Sequence, residues 1–198
     1  MWRLTSCDGC QRVLLDCFPE ARARPGPGPH RVSVVVGSVT TAHDVERLTR
    51  IRARSEVLVV VGACATADGI RALRGVDGVD GFESIVYASP GLIRSLDTAT
   101  SVSEHVRVDL ELRGCPVDRE RLRGVLSALL AGHEPDPLDE RVCVDCKLRG
   151  LTCTAATDGV PCLGPVTHVG CGALCPTRRC GCSDPLSPPA LIPLPERS

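Results

Sequence analysis

Eight of the thirteen cysteines fall in about forty residues: Cys143, Cys146, Cys153, Cys162, Cys171, Cys175, Cys180 and Cys182. No apolar periodicity runs through that stretch, so an ordinary hydrophobic core cannot be what orders it. Sulfur crosslinks must supply the order instead. Disulfides, zinc ions and iron–sulfur clusters are the three chemistries open to such a run.

The rest of the chain narrows that choice. Met1-Trp2-Arg3-Leu4-Thr5-Ser6-Cys7 lacks the basic and apolar regions of a secretion signal, and no apolar run approaches the roughly 18 residues of a membrane span. A cytoplasmic chain is therefore expected, and cytoplasmic cysteine clusters hold metal more often than disulfides. The net charge of -1 and an aromatic content of 2% argue against a nucleic-acid surface, which needs basic patches and stacking platforms. At 198 residues, 43% of them hydrophobic, the chain has room for one packed domain and a small appendage.

The apolar pattern places that packed domain first. Trp2 to Leu4 reads as the end of a strand, followed by a turn and a short helix from Gln11 toward Phe18. Glu20 to His30, with Pro25, Pro27 and Pro29, reads as a loop. Val32–Val36 is a valine-rich, β-branched run ending at Gly37, and Val57–Val61 is an all-apolar run ending at Gly62; both read as strands. Between them a helix is expected over Ala42–Arg54, capped by Thr40 or Thr41. Further expectations are a helix over Thr66–Leu73, a strand over Ser84–Ala88, a helix over Pro90–Leu96, a strand over Val106–Leu112 and a helix over Asp118–Leu130. Strand, turn and helix repeat, which implies a parallel sheet covered on both faces. The expected divisions are a sheet domain over 1–131, a cysteine-rich domain over 132–183 and a proline-rich tail over 184–198.

Four more cysteines follow the strands. Cys7 and Cys10 come after the first, Cys64 after the run ending at Val61, and Cys115 after Leu112. The carboxyl ends of parallel strands share one rim, where ligands bind. Four thiolates converging there suit one 4Fe-4S cluster or one zinc. The plainer alternative is that Cys64 and Cys115 are small buried residues. Eight C-terminal sulfurs make two further sets of four, and Cys171-x3-Cys175-Pro176 echoes the close of a bacterial ferredoxin run. Cys17 is left over, on the apolar face of a short helix. His168 reads as a loop residue facing water or as a donor to a cluster sulfur. Lys147, Arg178 and Arg179 either offset cluster charge or face solvent. No acid–base or nucleophilic constellation is present, so no catalytic residue is assigned.

Several motifs carry a family resemblance. Leu4-Thr5-Ser6-Cys7-Asp8-Gly9-Cys10-Gln11, Gly37-Ser38-Val39-Thr40, Gly62-Ala63-Cys64-Ala65, Glu111-Leu112-Arg113-Gly114-Cys115-Pro116 and the block from Pro161 to Pro176 resemble the small subunit of cytoplasmic nickel–iron hydrogenases. The same family includes the 20 kDa iron–sulfur subunit of complex-I-like enzymes. The resemblance implies a flavodoxin-like parallel-sheet domain followed by a ferredoxin-like cysteine-rich domain. It implies three 4Fe-4S clusters: a proximal one on Cys7, Cys10, Cys64 and Cys115, and a medial and a distal one on the eight C-terminal cysteines, undivided between them. The implied partners are a nickel–iron large subunit, a flavin-containing diaphorase subunit and a ferredoxin-like subunit. The implied role is electron carriage in an oxidoreductase whose chemistry occurs in the partner. A nickel-free complex-I-like assembly and a structural zinc docking module are the alternatives. The chain departs from the family pattern at Val36, where Glu is usual, at Asp68-Gly69, where two glycines are usual, and at Cys180-Gly181-Cys182, where C-x-x-C is usual.

Overall fold

A computed structural model of the chain describes residues 1–22, 26, 28–67, 69, 95–135 and 141–182. Four parallel strands form the main sheet: β1 (Trp2–Arg3), β2 (His30–Val36), β4 (Ser55–Val61) and β6 (Leu110–Leu112), in the order β1-β2-β4-β6. A two-stranded antiparallel ribbon, β3 (Val39–Thr41) with β5 (Ser95–Thr100), stands beside it. The α/β class expected from the sequence, a flavodoxin-like parallel sheet between helix layers, is the observed one.

The two apolar runs became β2 and β4 because both faces of those strands are covered. On one face Val35, Leu58 and Val60 pack with Leu48 and Ile51 of α2 (Ala42–Ala53). On the other, Val36, Val59 and Val61 pack with Leu14 of α1 (Gly9–Cys17) and with Leu122, Val125 and Leu126 of α4 (Arg119–Ala131). Alternate residues of one strand thus enter different layers. Thr41 is the cap of α2: its hydroxyl accepts from the Asp44 N–H at 3.1 Å, and Asp44 Oδ2 accepts from the Thr41 N–H at 3.2 Å. Asp118 caps α4, accepting from the Arg121 N–H at 2.9 Å, and Gly132 closes that helix with φ 85°.

Four expectations need correction. The strand expected over Val106–Leu112 contracts to Leu110–Leu112, because Asp109 substitutes its carboxylate for a backbone acceptor. Leu58 N–H donates to Asp109 Oδ2 at 2.8 Å while Leu58 O accepts from the Asp109 N–H at 3.0 Å. The helix expected over Thr66–Leu73 begins earlier, as α3 (Ala63–Ala67), directly after Gly62. Ser95 and Leu96 belong to β5 rather than to the end of a helix from Pro90. The proline-rich loop opens on a 3-10 turn, Pro19–Arg22. The strand expected over Ser84–Ala88 and the tail over 184–198 lie outside the described residues.

Residues 141–182 form an annex of three short helices, α5 (Val142–Leu148), α6 (Thr154–Thr157) and α7 (Leu174–Thr177). Its buried residues are few and mixed, among them Val142, Thr154, Thr167, Val169, Ala173 and Cys182. Among the described residues no helix is long and apolar enough to cross a membrane.

Candidate metal centre

Sheet register builds the rim. Arg3, Val36, Val61 and Leu112 are partners in one row across the sheet, at the carboxyl end of each strand. Cys64 and Cys115 each follow that row by three residues and Cys7 by four, so the parallel topology delivers all three to one edge. Local hydrogen bonds hold each approach. The Ser38 N–H donates to Thr5 O at 3.0 Å, and the Thr5 and Thr40 hydroxyls meet at 2.9 Å, which fixes the turn into Cys7. The Gly62 N–H donates to Leu112 O at 2.7 Å, and the Ala63 N–H donates to Gly114 O at 2.8 Å. These two bonds tie the segment bearing Cys64 to the segment bearing Cys115.

Cys10 is the meeting point. Burial pushes its thiol up to about 11; the Val117 backbone N–H works against that, and Cys115, Cys64 and Cys7 raise it further in that order. Those last three contributions place Cys115, Cys64 and Cys7 in the neighbourhood of Cys10. Gly62, with φ +88°, makes room: a Cβ there would collide with the Cys10 sulfur. The backbone at Gly69 also closes on a thiol, since a Cβ there would lie 3.0 Å from Cys64 Sγ.

A second set forms in the annex. Burial raises the Cys146 thiol, and Cys143, Asp145, Cys162 and Cys153 add to the rise. The backbone again approaches sulfur closely, since a Cβ on Gly164 would lie 3.3 Å from both Cys143 Sγ and Cys162 Sγ. Cys162 Sγ accepts from the Gly164 N–H at 3.4 Å and from the Cys182 N–H at 3.2 Å. Of the remaining four, Cys171 precedes α7, Cys175 lies within it, and Cys180 and Cys182 follow it. The Cys180 N–H donates to Cys175 O at 3.1 Å. The two sulfurs of the C-x-C end diverge: Cys180 is exposed beside Arg178 O, and Cys182 is buried with Sγ 3.8 Å from Thr167 Oγ1. Among the described residues no three His, Cys, Asp or Glu side chains converge tightly enough for a single metal ion.

The first two constellations fit an iron–sulfur cluster by donor chemistry, being all thiol, and by the glycine backbones that line them. Cys17 lies away from both, its Sγ 3.8 Å from Arg119 O on the α1–α4 contact. His168 is half-buried and bridges antiparallel to Arg141, a pairing that sequence periodicity does not signal.

A parallel α/β sheet with thiols at its strand rim, continued by a cysteine-dense annex, is the architecture of a subunit of an oxidoreductase complex. The chain belongs to the NADH ubiquinone oxidoreductase 20 Kd subunit family, whose sequence profile matches residues 7–129. It is 32% identical to sulfhydrogenase 2 subunit delta of Pyrococcus furiosus, over 92% of this chain and 82% of that relative. It is 28% identical to the NAD-reducing hydrogenase HoxS subunit delta of Cupriavidus necator, over 54% of this chain and 60% of the relative. A chain of the NAD+-reducing [NiFe]-hydrogenase solved in the H2-reduced state superimposes with a TM-score of 0.59 at 28% identity, covering 68% of this chain and 91% of that one.

Proposed function

We propose that this chain is the electron-transfer small subunit of a cytoplasmic nickel–iron hydrogenase complex. Its partners on this reading are a large subunit that carries the nickel–iron site, a flavin-containing diaphorase subunit and a ferredoxin-like subunit. The sheet domain, 1–131, holds one 4Fe-4S cluster on Cys7, Cys10, Cys64 and Cys115. The cysteine-rich domain, 132–183, holds a medial and a distal cluster on its eight cysteines, with Cys143, Cys146, Cys153 and Cys162 gathered around one of them, and 184–198 is a tail. Each cluster supplies one-electron chemistry when bound.

The protein's own part is to hold and shield. The rim orients four thiols from three distant segments, and glycines bring amide backbone against them. The observation that carries the reading is the strand row Arg3–Val36–Val61–Leu112, which brings Cys7, Cys64 and Cys115 to one rim beside Cys10. The hydrogenase relatives support a hydrogenase over a nickel-free assembly, since the first of them aligns along nearly the whole chain.

The test is iron and acid-labile sulfide analysis of anaerobically purified chain, with low-temperature electron paramagnetic resonance. About twelve irons per chain, with matching sulfide, are expected for three four-iron clusters. Zinc without sulfide overturns the reading.

A further inference from the structure

The annex meets the sheet domain along a seam between two glycine backbones. Gly114 follows β6 and Gly170 lies in the annex. A Cβ on Gly170 would overlap the Arg113 carbonyl, and a Cβ on Gly114, whose φ is +132°, would overlap the Gly170 carbonyl. Neither residue tolerates a side chain without parting the two units. Hydrogen bonds pin the seam on both sides. The Asp118 N–H at the head of α4 donates to Gly170 O at 2.7 Å, and the Ala63 N–H donates to Gly114 O at 2.8 Å. Gly172 adds a third close approach: a Cβ there would lie 2.5 Å from Asp118 Oδ2 and 3.1 Å from the Arg149 guanidinium. Arg149 in turn joins Asp118 and Asp145, its Nε donating to Asp145 Oδ1 at 2.9 Å.

Gly114 and Gly170 each immediately precede a cysteine. Gly114 leads into Cys115 of the rim set, and Gly170 leads into Cys171 of the annex. One protein route between the chain segments bearing Cys115 and Cys171 therefore runs through glycine backbone in direct contact.

We propose that the Gly114–Gly170 seam positions the two units for electron passage, setting the separation between the group held at Cys115 and the group held at Cys171. This rests on the cluster assignment proposed above. A single electron crosses the seam, lost on the Cys115 side and gained on the Cys171 side, with no bond made or broken and no proton moved. Gly114 and Gly170 are positioning residues, acting through the cysteines they precede.

The experiment uses the full chain, purified anaerobically with its native metal, as wild type, Gly170→Ala and Gly124→Ala. A Cβ on Gly124 meets nothing within 4 Å, so that variant controls for a glycine change alone. Iron and sulfide content is measured first, then the magnetic interaction between reduced clusters by electron paramagnetic resonance. Wild type and Gly124→Ala are expected to show the interaction. Gly170→Ala is expected to keep its iron and sulfide and show a weakened interaction. Full metal content with an undiminished interaction overturns the seam while leaving the cluster assignment intact. If Gly170→Ala loses its metal, Gly172→Ala is read instead, because its new methyl presses on movable Asp118 and Arg149 side chains rather than on backbone. A weakened interaction there supports the seam and an unchanged one overturns it. A wild-type chain without iron and sulfide overturns the cluster assignment, and the seam with it.

Discussion

Asp109 shows how much a single side chain can reshape an edge strand. Its carboxylate accepts the Leu58 N–H that a longer β6 would have taken with a backbone carbonyl, and it also pairs with Arg52. Burial pushes this carboxyl up, but the Leu58 N–H and the Arg52 guanidinium outweigh that and hold it below its usual value. Replacing Asp109 with Ala strands the Leu58 N–H and should cost about 1–3 kcal/mol. Because the folded carboxyl is the more acidic one, its contribution is fully present above the unfolded value near ~4 and fades as pH falls through the lowered value. Urea unfolding of wild type and Asp109→Ala should therefore differ at neutral pH and converge in acid. A difference that persists undiminished at the lowest pH where the chain folds would contradict this account.

Among the elements, α2 is held by local chemistry that the sequence displays openly. Thr41 and Asp44 exchange two hydrogen bonds at its head, and Leu48 and Ile51 bury its inner face. Thr41→Ala removes one of those bonds and should lower stability by about 1 kcal/mol, seen as a shifted urea midpoint with unchanged slope. The strands β2 and β4 were legible for an equally simple reason: strands covered on both faces must be apolar at every position, and Val32–Val36 and Val57–Val61 are nearly so. The ribbon β3–β5 was not legible. Ser95–Thr100 is a polar segment whose partner spans three residues, so neither shows a period of its own. At the site, the arrival of the segments bearing Cys7, Cys64 and Cys115 at one rim could be inferred from strand ends alone. The grouping of the annex cysteines could not, because linear spacing does not say which sulfurs face each other. Cys146 faces Cys153 and Cys162 only because the chain folds back after α5.

At the scale of the molecule, the two thiol-bearing units differ in what orders them. The sheet has two apolar layers of its own, so its fold does not wait for metal. Replacing Cys64 with Ser should remove the rim cluster's spectroscopic signal and leave much of the annex signal in place; equal loss of both would mean that the units do not load independently. The annex has short helices and a thin, partly polar interior, the condition in which metal binding and folding become one equilibrium. Removing iron under anaerobic chelation should therefore act unevenly. Backbone amides of β2 and β4 should stay protected from hydrogen exchange, while those of α5 and α7 should lose protection. The boundary should fall at the seam: the Asp118 N–H, bonded to Gly170 O, should exchange faster in the metal-free chain, although its neighbour Leu122, bonded within α4, should not. Annex amides as protected without metal as with it would show that residues 141–182 carry enough packing to fold alone.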